Sequence, residues 1–120
     1  MTLTTDCYYA PEGATQYLKM EAVSGGTLNN DRKKYSIAKD ASSVSALDII
    51  FNINNSADCT SDKSDENVFN TEYFVRKIKY QAHQSATDTV YFSLCKYGVP
   101  SVTGQKSIVL KLTSRWVNNG

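Results

Sequence analysis

Ile108-Val109-Leu110-Lys111-Leu112-Thr113-Ser114-Arg115-Trp116-Val117 is the stretch that decides the fold class. Ile108, Leu110, Leu112 and Trp116 share one parity, and Lys111, Thr113 and Arg115 share the other. Successive side chains of a strand point to opposite faces, so this alternation predicts a half-buried strand with one apolar and one basic face. Two similar segments precede it. In 71–82, Phe74, Ile78 and Tyr80 oppose Tyr73, Val75, Lys77 and Lys79. In 89–97, Val90, Phe92 and Leu94 line up. Arg76 falls on the apolar parity, which a bulge or a place near the sheet edge would reconcile.

The pattern continues upstream. Leu47, Ile49, Phe51 and Ile53 alternate with Asp48 and Asn52, and Ile50 on the polar parity marks contact with another layer or another chain. Leu18, Met20 and Ala22 alternate with Lys19 and Glu21 in 16–23. Residues 2–9 and a segment around Tyr35 and Ile37 complete about seven strands. Ala10-Pro11-Glu12-Gly13 reads as a turn that joins the first two strands in a hairpin. Residues 40–45 allow at most a short helical turn. The stretch 54–70 has almost nothing to bury and reads as a long, mobile surface loop. The expectation is one all-β domain over 1–120, mostly antiparallel, with little or no helix. It is either a single-layer, coat-type sheet or a small β-sandwich.

Composition narrows the function. The chain has 120 residues, 41% of them hydrophobic, and a formal net charge of +1. An electrostatic role must therefore come from charge segregated on one face. No apolar run reaches the roughly 20 residues of a membrane helix. The N-terminus has neither a basic nor an apolar leader region, so no signal peptide and no membrane partner are expected. A virion, or the cytoplasm of the producing cell, is the expected location. Cys7, Cys59 and Cys95 are the three cysteines, and none forms a Cys-x-x-Cys pair. Free thiols in a reducing compartment are one reading. The other concerns Cys59, which lies in the most polar stretch and could crosslink neighbouring subunits.

Catalytic and metal patterns are thin. His83, the single histidine, has only Asp88 nearby in sequence and no visible nucleophile or orienting group. A solvent-exposed loop histidine is the favoured reading. Asp58, Asp62, Asp65 and Glu66 could offer oxygen ligands. Lys63 and Phe69, however, occupy the positions where a calcium loop needs Gly and Glu. One His and three scattered Cys give no zinc spacing. Thr103-Gly-Gln-Lys-Ser107 breaks the phosphate-loop register at Gln105. The sequon at Asn54 means little without a leader. No enzyme activity and no cofactor are expected.

The remaining signal is charge sorted by face. Lys19, Lys77, Lys79, Lys111 and Arg115 sit on polar strand positions, whereas acids gather after Asn54. Glu21 and Asp48 are the main acids on those faces. Such a surface can bind phosphates through Lys and Arg and stack bases on a tyrosine such as Tyr73. Lysines on polar strand faces also serve plain solubility. The favoured expectation is a structural assembly protein, a viral or phage coat or capsid-type subunit. It would pair with copies of itself and meet RNA or another nucleic acid through its basic sheet face. The alternative is a monomeric β-sandwich binding module for a glycan or a protein. A hairpin followed by five further strands resembles single-stranded RNA phage coat proteins at the level of architecture. Those coats end in two helices, where this chain carries strand to its end.

Overall fold

Alternating apolar and polar residues do become strands. The computed structural model describes residues 1–7, 13–59, 67–78, 84–101 and 107–117. Every regular element among them is a strand: β1 (Thr2–Cys7), β2 (Thr15–Ser24), β3 (Thr27–Leu28), β4 (Tyr35–Lys39), β5 (Ser45–Ile53), β6 (Glu72–Lys77), β7 (Gln84–Lys96) and β8 (Val109–Val117). They form a five-stranded sheet, β1-β7-β5-β4-β3, and a three-stranded sheet, β6-β2-β8. All pairings are antiparallel. The two-sheet arrangement replaces the single-layer expectation.

The expected N-terminal hairpin is not formed. β1 pairs with β7, from Thr2↔Thr89 to Cys7↔Gln84, while β2 lies in the other sheet between β6 and β8. The resemblance to phage coats loses that leg. The physical reason lies in the facing rows. Met20 and Ala22 meet Leu112 and Leu110 across the β2–β8 ladder, a closely matched apolar row. β1 offers only Leu3 on its inward parity near the core. Turn residues set where the chain reverses, but cross-strand packing sets which strands pair.

Between the sheets lies one core of Leu18, Met20, Tyr35, Phe51, Ile53, Phe69 and Val90. Phe69 is fully buried, with ring centroids 4.7 Å from Phe51 and 6.0 Å from Tyr35. The expected loop over 54–70 is thus anchored at its C-terminal end. The Phe69 N–H donates to the Arg32 carbonyl and the Asn70 N–H to the Met20 carbonyl. Asn70 takes φ 60°, a left-handed conformation that Asn tolerates better than most residues.

The N-terminal end of the same segment is also tied down. It folds over the second face of the five-stranded sheet, where Asp48, Ile50, Asn52 and Cys95 are buried. Ser93 Oγ donates to the Ala57 carbonyl at 2.6 Å, and Cys59 forms a disulfide with Cys95. Ile50, paired with Ser93, is buried on the face to which this loop is tied. Cys59 is bonded within its own chain, so the crosslink to a neighbouring subunit expected from it is not available. Sequence alone cannot show that the chain doubles back over 36 residues to bring Cys59 beside β7.

Arg76 explains the irregular pattern of β6. Gln16 pairs with Arg76 and Tyr17 with Phe74, so Val75 is an extra residue on β6. This bulge inverts the parity of the strand. Arg76 turns inward and reaches Asp88 of the other sheet with both carboxylate oxygens at 2.7–2.8 Å. Arg76 also donates to Gln16 Oε1. The Gln16 amide donates to Ser114 Oγ at 2.8 Å and Thr5 Oγ1 at 3.3 Å, and Asn54 Nδ2 donates to Asp88 at 3.0 Å. Asp88 and Gln16 are fully buried. This network joins the sheets where apolar packing ends.

Two outcomes follow. Arg76→Met leaves the Asp88 carboxylate buried without its partner and should lower stability by about 3–5 kcal/mol in urea unfolding. Opening the Cys59–Cys95 bond with reductant, or by Cys59→Ser, should cost about 2–4 kcal/mol. The unfolded, unreduced chain should take up a single iodoacetamide label, at Cys7.

Candidate nucleic-acid interface

The three-stranded sheet has one face toward the core and one toward solvent. Directly opposed residues of antiparallel strands share a face. The outer face therefore reads in rows across β6, β2 and β8: Phe74, Tyr17 and Arg115; then Glu72, Lys19 and Thr113; then Glu21 and Lys111. Lys77, opposite Thr15, adds a fourth cation at one end. Lys19, Lys77, Lys111 and Arg115, expected on one polar face from four separate positions, are brought together there.

The face is less basic than expected, because carboxylates share it. Lys19 Nζ lies 2.9 Å from Glu21 and Arg115 Nε 2.6 Å from Glu72. The hydrogen bond from Lys19 holds the Glu21 carboxyl below the ordinary glutamate range, and the Lys111 charge pushes the same way. The Arg115 hydrogen bond does the same for Glu72. Reciprocally, Glu21 raises Lys19, and Glu72 raises Arg115. The Arg115–Glu72 pair is exposed and the Lys19–Glu21 pair half-exposed, so both are screened by salt. Lys77 has no ion pair among the described residues.

Aromatic rings are set among these charges. The Arg115 guanidinium lies 4.9 Å from the Tyr17 ring centroid. Tyr17 and Phe74 meet edge to face, 6.2 Å apart. Phe74 is 59% exposed, although its sequence parity placed it on the apolar side. A cleft of about 190 Å³ beside it is lined by Ile53, Asn54, Asn55, Tyr73 and Val75. Tyr17 and Phe74 were not among the expected contacts. Tyr17 could have been found, since it shares the polar parity of Lys19 and Glu21. Phe74 was harder to find, because Arg76 on the apolar parity hinted at a bulge but not that it would turn Phe74 outward.

Tyr73 is corrected by the same bulge. It faces inward against the core, opposite Leu18. Its hydroxyl accepts from the Val68 N–H at 3.2 Å. It is a structural tie and not a stacking platform. Lys79 and His83 lie outside the described residues, as do Asp62, Asp65 and Glu66 of the acidic stretch. Among the described residues no three His, Cys, Asp or Glu side chains gather as a metal site, and no helix is long and apolar enough to cross a membrane. Comparison of the chain with protein-family models, with curated proteins and with solved structures gives no match.

The lowered carboxyls give a signed pH dependence. A carboxyl with a lower folded than unfolded pKa contributes stability above the unfolded value, about 4.3 for Glu. That contribution is lost as pH falls through the folded value. Carbon-detected NMR titration should place Glu21 and Glu72 below ordinary glutamates. About 1 M NaCl should move both back toward the usual range.

Proposed function

We propose that this chain is a structural assembly subunit of the viral or phage coat type, with the outer face of its three-stranded sheet turned toward single-stranded nucleic acid. The observation that carries the reading is the grouping of Tyr17 and Phe74 with Arg115, Lys19, Lys77 and Lys111 on one pleated surface. Aromatic rings accept any base face, and flanking cations follow the phosphates, so the surface is suited to binding without sequence readout. Duplex is a poorer fit, because an exposed ring on a sheet has no unstacked base to receive. The Cys59–Cys95 bond suits the oxidising surroundings that a particle meets outside the cell.

Glu21 and Glu72 act as competitors for the same cations that phosphates would engage. Binding by one subunit is therefore weak and strongly dependent on salt. Fluorescence anisotropy with a short single-stranded RNA tests this. Affinity should fall with salt at a log–log slope of about −1.4 to −2.8, the value for two to four phosphates on a single strand. The double variant Glu21→Gln/Glu72→Gln should bind about threefold to tenfold more tightly at low salt, because it frees Lys19 and Arg115. Phe74→Ala should weaken binding by about 1–3 kcal/mol. No binding at about 50 mM salt, or indifference to all three changes, overturns the nucleic-acid role.

A further inference from the structure

β7 is longer than either of its neighbours needs. Its first half, from Gln84 to Thr89, is paired by β1 on one side. Its second half, from Val90 to Lys96, is paired by β5 on the other. Met1 and Val90 exchange backbone hydrogen bonds on the β1 side. Partners of an antiparallel strand alternate between its two sides. The N–H and C=O groups of Phe92, Leu94 and Lys96 therefore point away from β5, and no described strand lies against them.

This free edge is also apolar. Leu94 is 60% and Phe92 41% exposed, although both sit on the face that carries the core. With Ile49 and Leu110 they line a groove of about 420 Å³ at the end of the space between the sheets. Tyr91, on the opposite face of the strand, is 45% exposed. Natural edge strands are usually blunted by charges, proline or a bulge. From Val90 to Cys95 this edge has none of them.

We infer that the 92–96 edge of β7 is a self-association surface that pairs antiparallel with the same edge of a second copy of this chain. The occupant follows from self-complementarity. Pairing each outward-pointing residue of one copy with one of the other reaches its fullest overlap when Leu94 faces Leu94 about a two-fold axis. That register sets Phe92 against Lys96 and Tyr91 against Tyr97, two favourable cross-strand pairs. Ser93, Leu94 and Cys95 between Phe92 and Lys96 are uncharged, and this register sets the one charge of the edge, on Lys96, against the Phe92 ring of the second copy. The proposal rests on the assembly reading above but not on nucleic-acid binding.

Sedimentation velocity of the oxidised full chain at about 100 μM, in about 0.5 M salt to strip nucleic acid, tests it. Wild type should sediment as a dimer or a larger assembly. Phe92→Lys puts like charges opposite each other at Lys96 and should weaken association about tenfold or more. Phe92→Glu removes the same ring but offers Lys96 a counter-charge, and should stay within about threefold of wild type. Leu94→Pro removes an N–H that β5 does not use, so it should fold and sediment as a monomer. This variant decides the matter if the Phe92 variants lose their far-UV signal. A monomeric wild type overturns the proposal, as does equal weakening by Phe92→Lys and Phe92→Glu, or a Leu94→Pro that still associates. A monomeric wild type that binds RNA sinks the edge pairing alone. An assembling chain that ignores RNA sinks the nucleic-acid role alone.

Discussion

The ion pair between Arg76 and Asp88 is the constraint from which much of the outer surface follows. A guanidinium on an inward-facing position of β6 can be accommodated only with an anion opposite it. Asp88, itself fully buried, supplies the charge from the other sheet. Arg76 keeps the inward parity it shares with buried Ile78, and the bulge at Val75 reverses which of the residues before it face out. Tyr73 goes in and Phe74 comes out. A buried pair of this kind adds little net stability over an apolar substitute, yet removing one member is costly. Its value here is to fix one register between β6 and β2, and with it the composition of the exposed face.

The apolar core does not extend under the whole molecule. It centres on Phe51, Phe69 and Tyr35, and thins where β7 runs past β5 and β8. At one end the Gln16–Arg76–Asp88–Asn54 network takes over from packing. At the other, Phe92 and Leu94 keep the parity of core residues without a layer to cover them. The radius of gyration is 17.1 Å, against about 13.6 Å for a rounded domain of this length. An extended shape with an uncovered apolar flank is what a subunit needs if part of its burial is to come from neighbours.

Much of this was legible in the alternation of side chains. β5 and β8 were expected within three residues of their observed ends, and the four cations Lys19, Lys77, Lys111 and Arg115 do share a face. Parity is a local property, and it reads well wherever a strand is regular. It fails at β6, because one inserted residue shifts every later side chain to the other face. Pairing is not local either. Nothing near residues 2–7 announces β7 as their partner, and the turn at 10–13 suggested the wrong one. Phe69 was hidden for a related reason. One aromatic in a polar stretch looks like loop, yet it fills the centre of the core because the chain returns there. The disulfide and the Glu72–Arg115 pair depend on the same long-range returns.

The two candidate surfaces lie on different sheets, and this separation bears on how a weak contact could serve. Two of the four cations on the outer face are already held by carboxylates, so one copy offers few unengaged charges to a phosphate chain. A single weak site becomes effective when copies are joined, because later contacts with the same strand occur at high effective concentration. Pairing along β7 would join copies through the five-stranded sheet and leave the three-stranded face of each copy open. Low affinity per subunit then becomes useful. An isolated chain would release stray nucleic acid at physiological salt, while an array of chains would hold one long strand. If both proposals hold, charge balance on the face and apolar exposure on the edge would be parts of one arrangement, in which association comes first and retention follows from it.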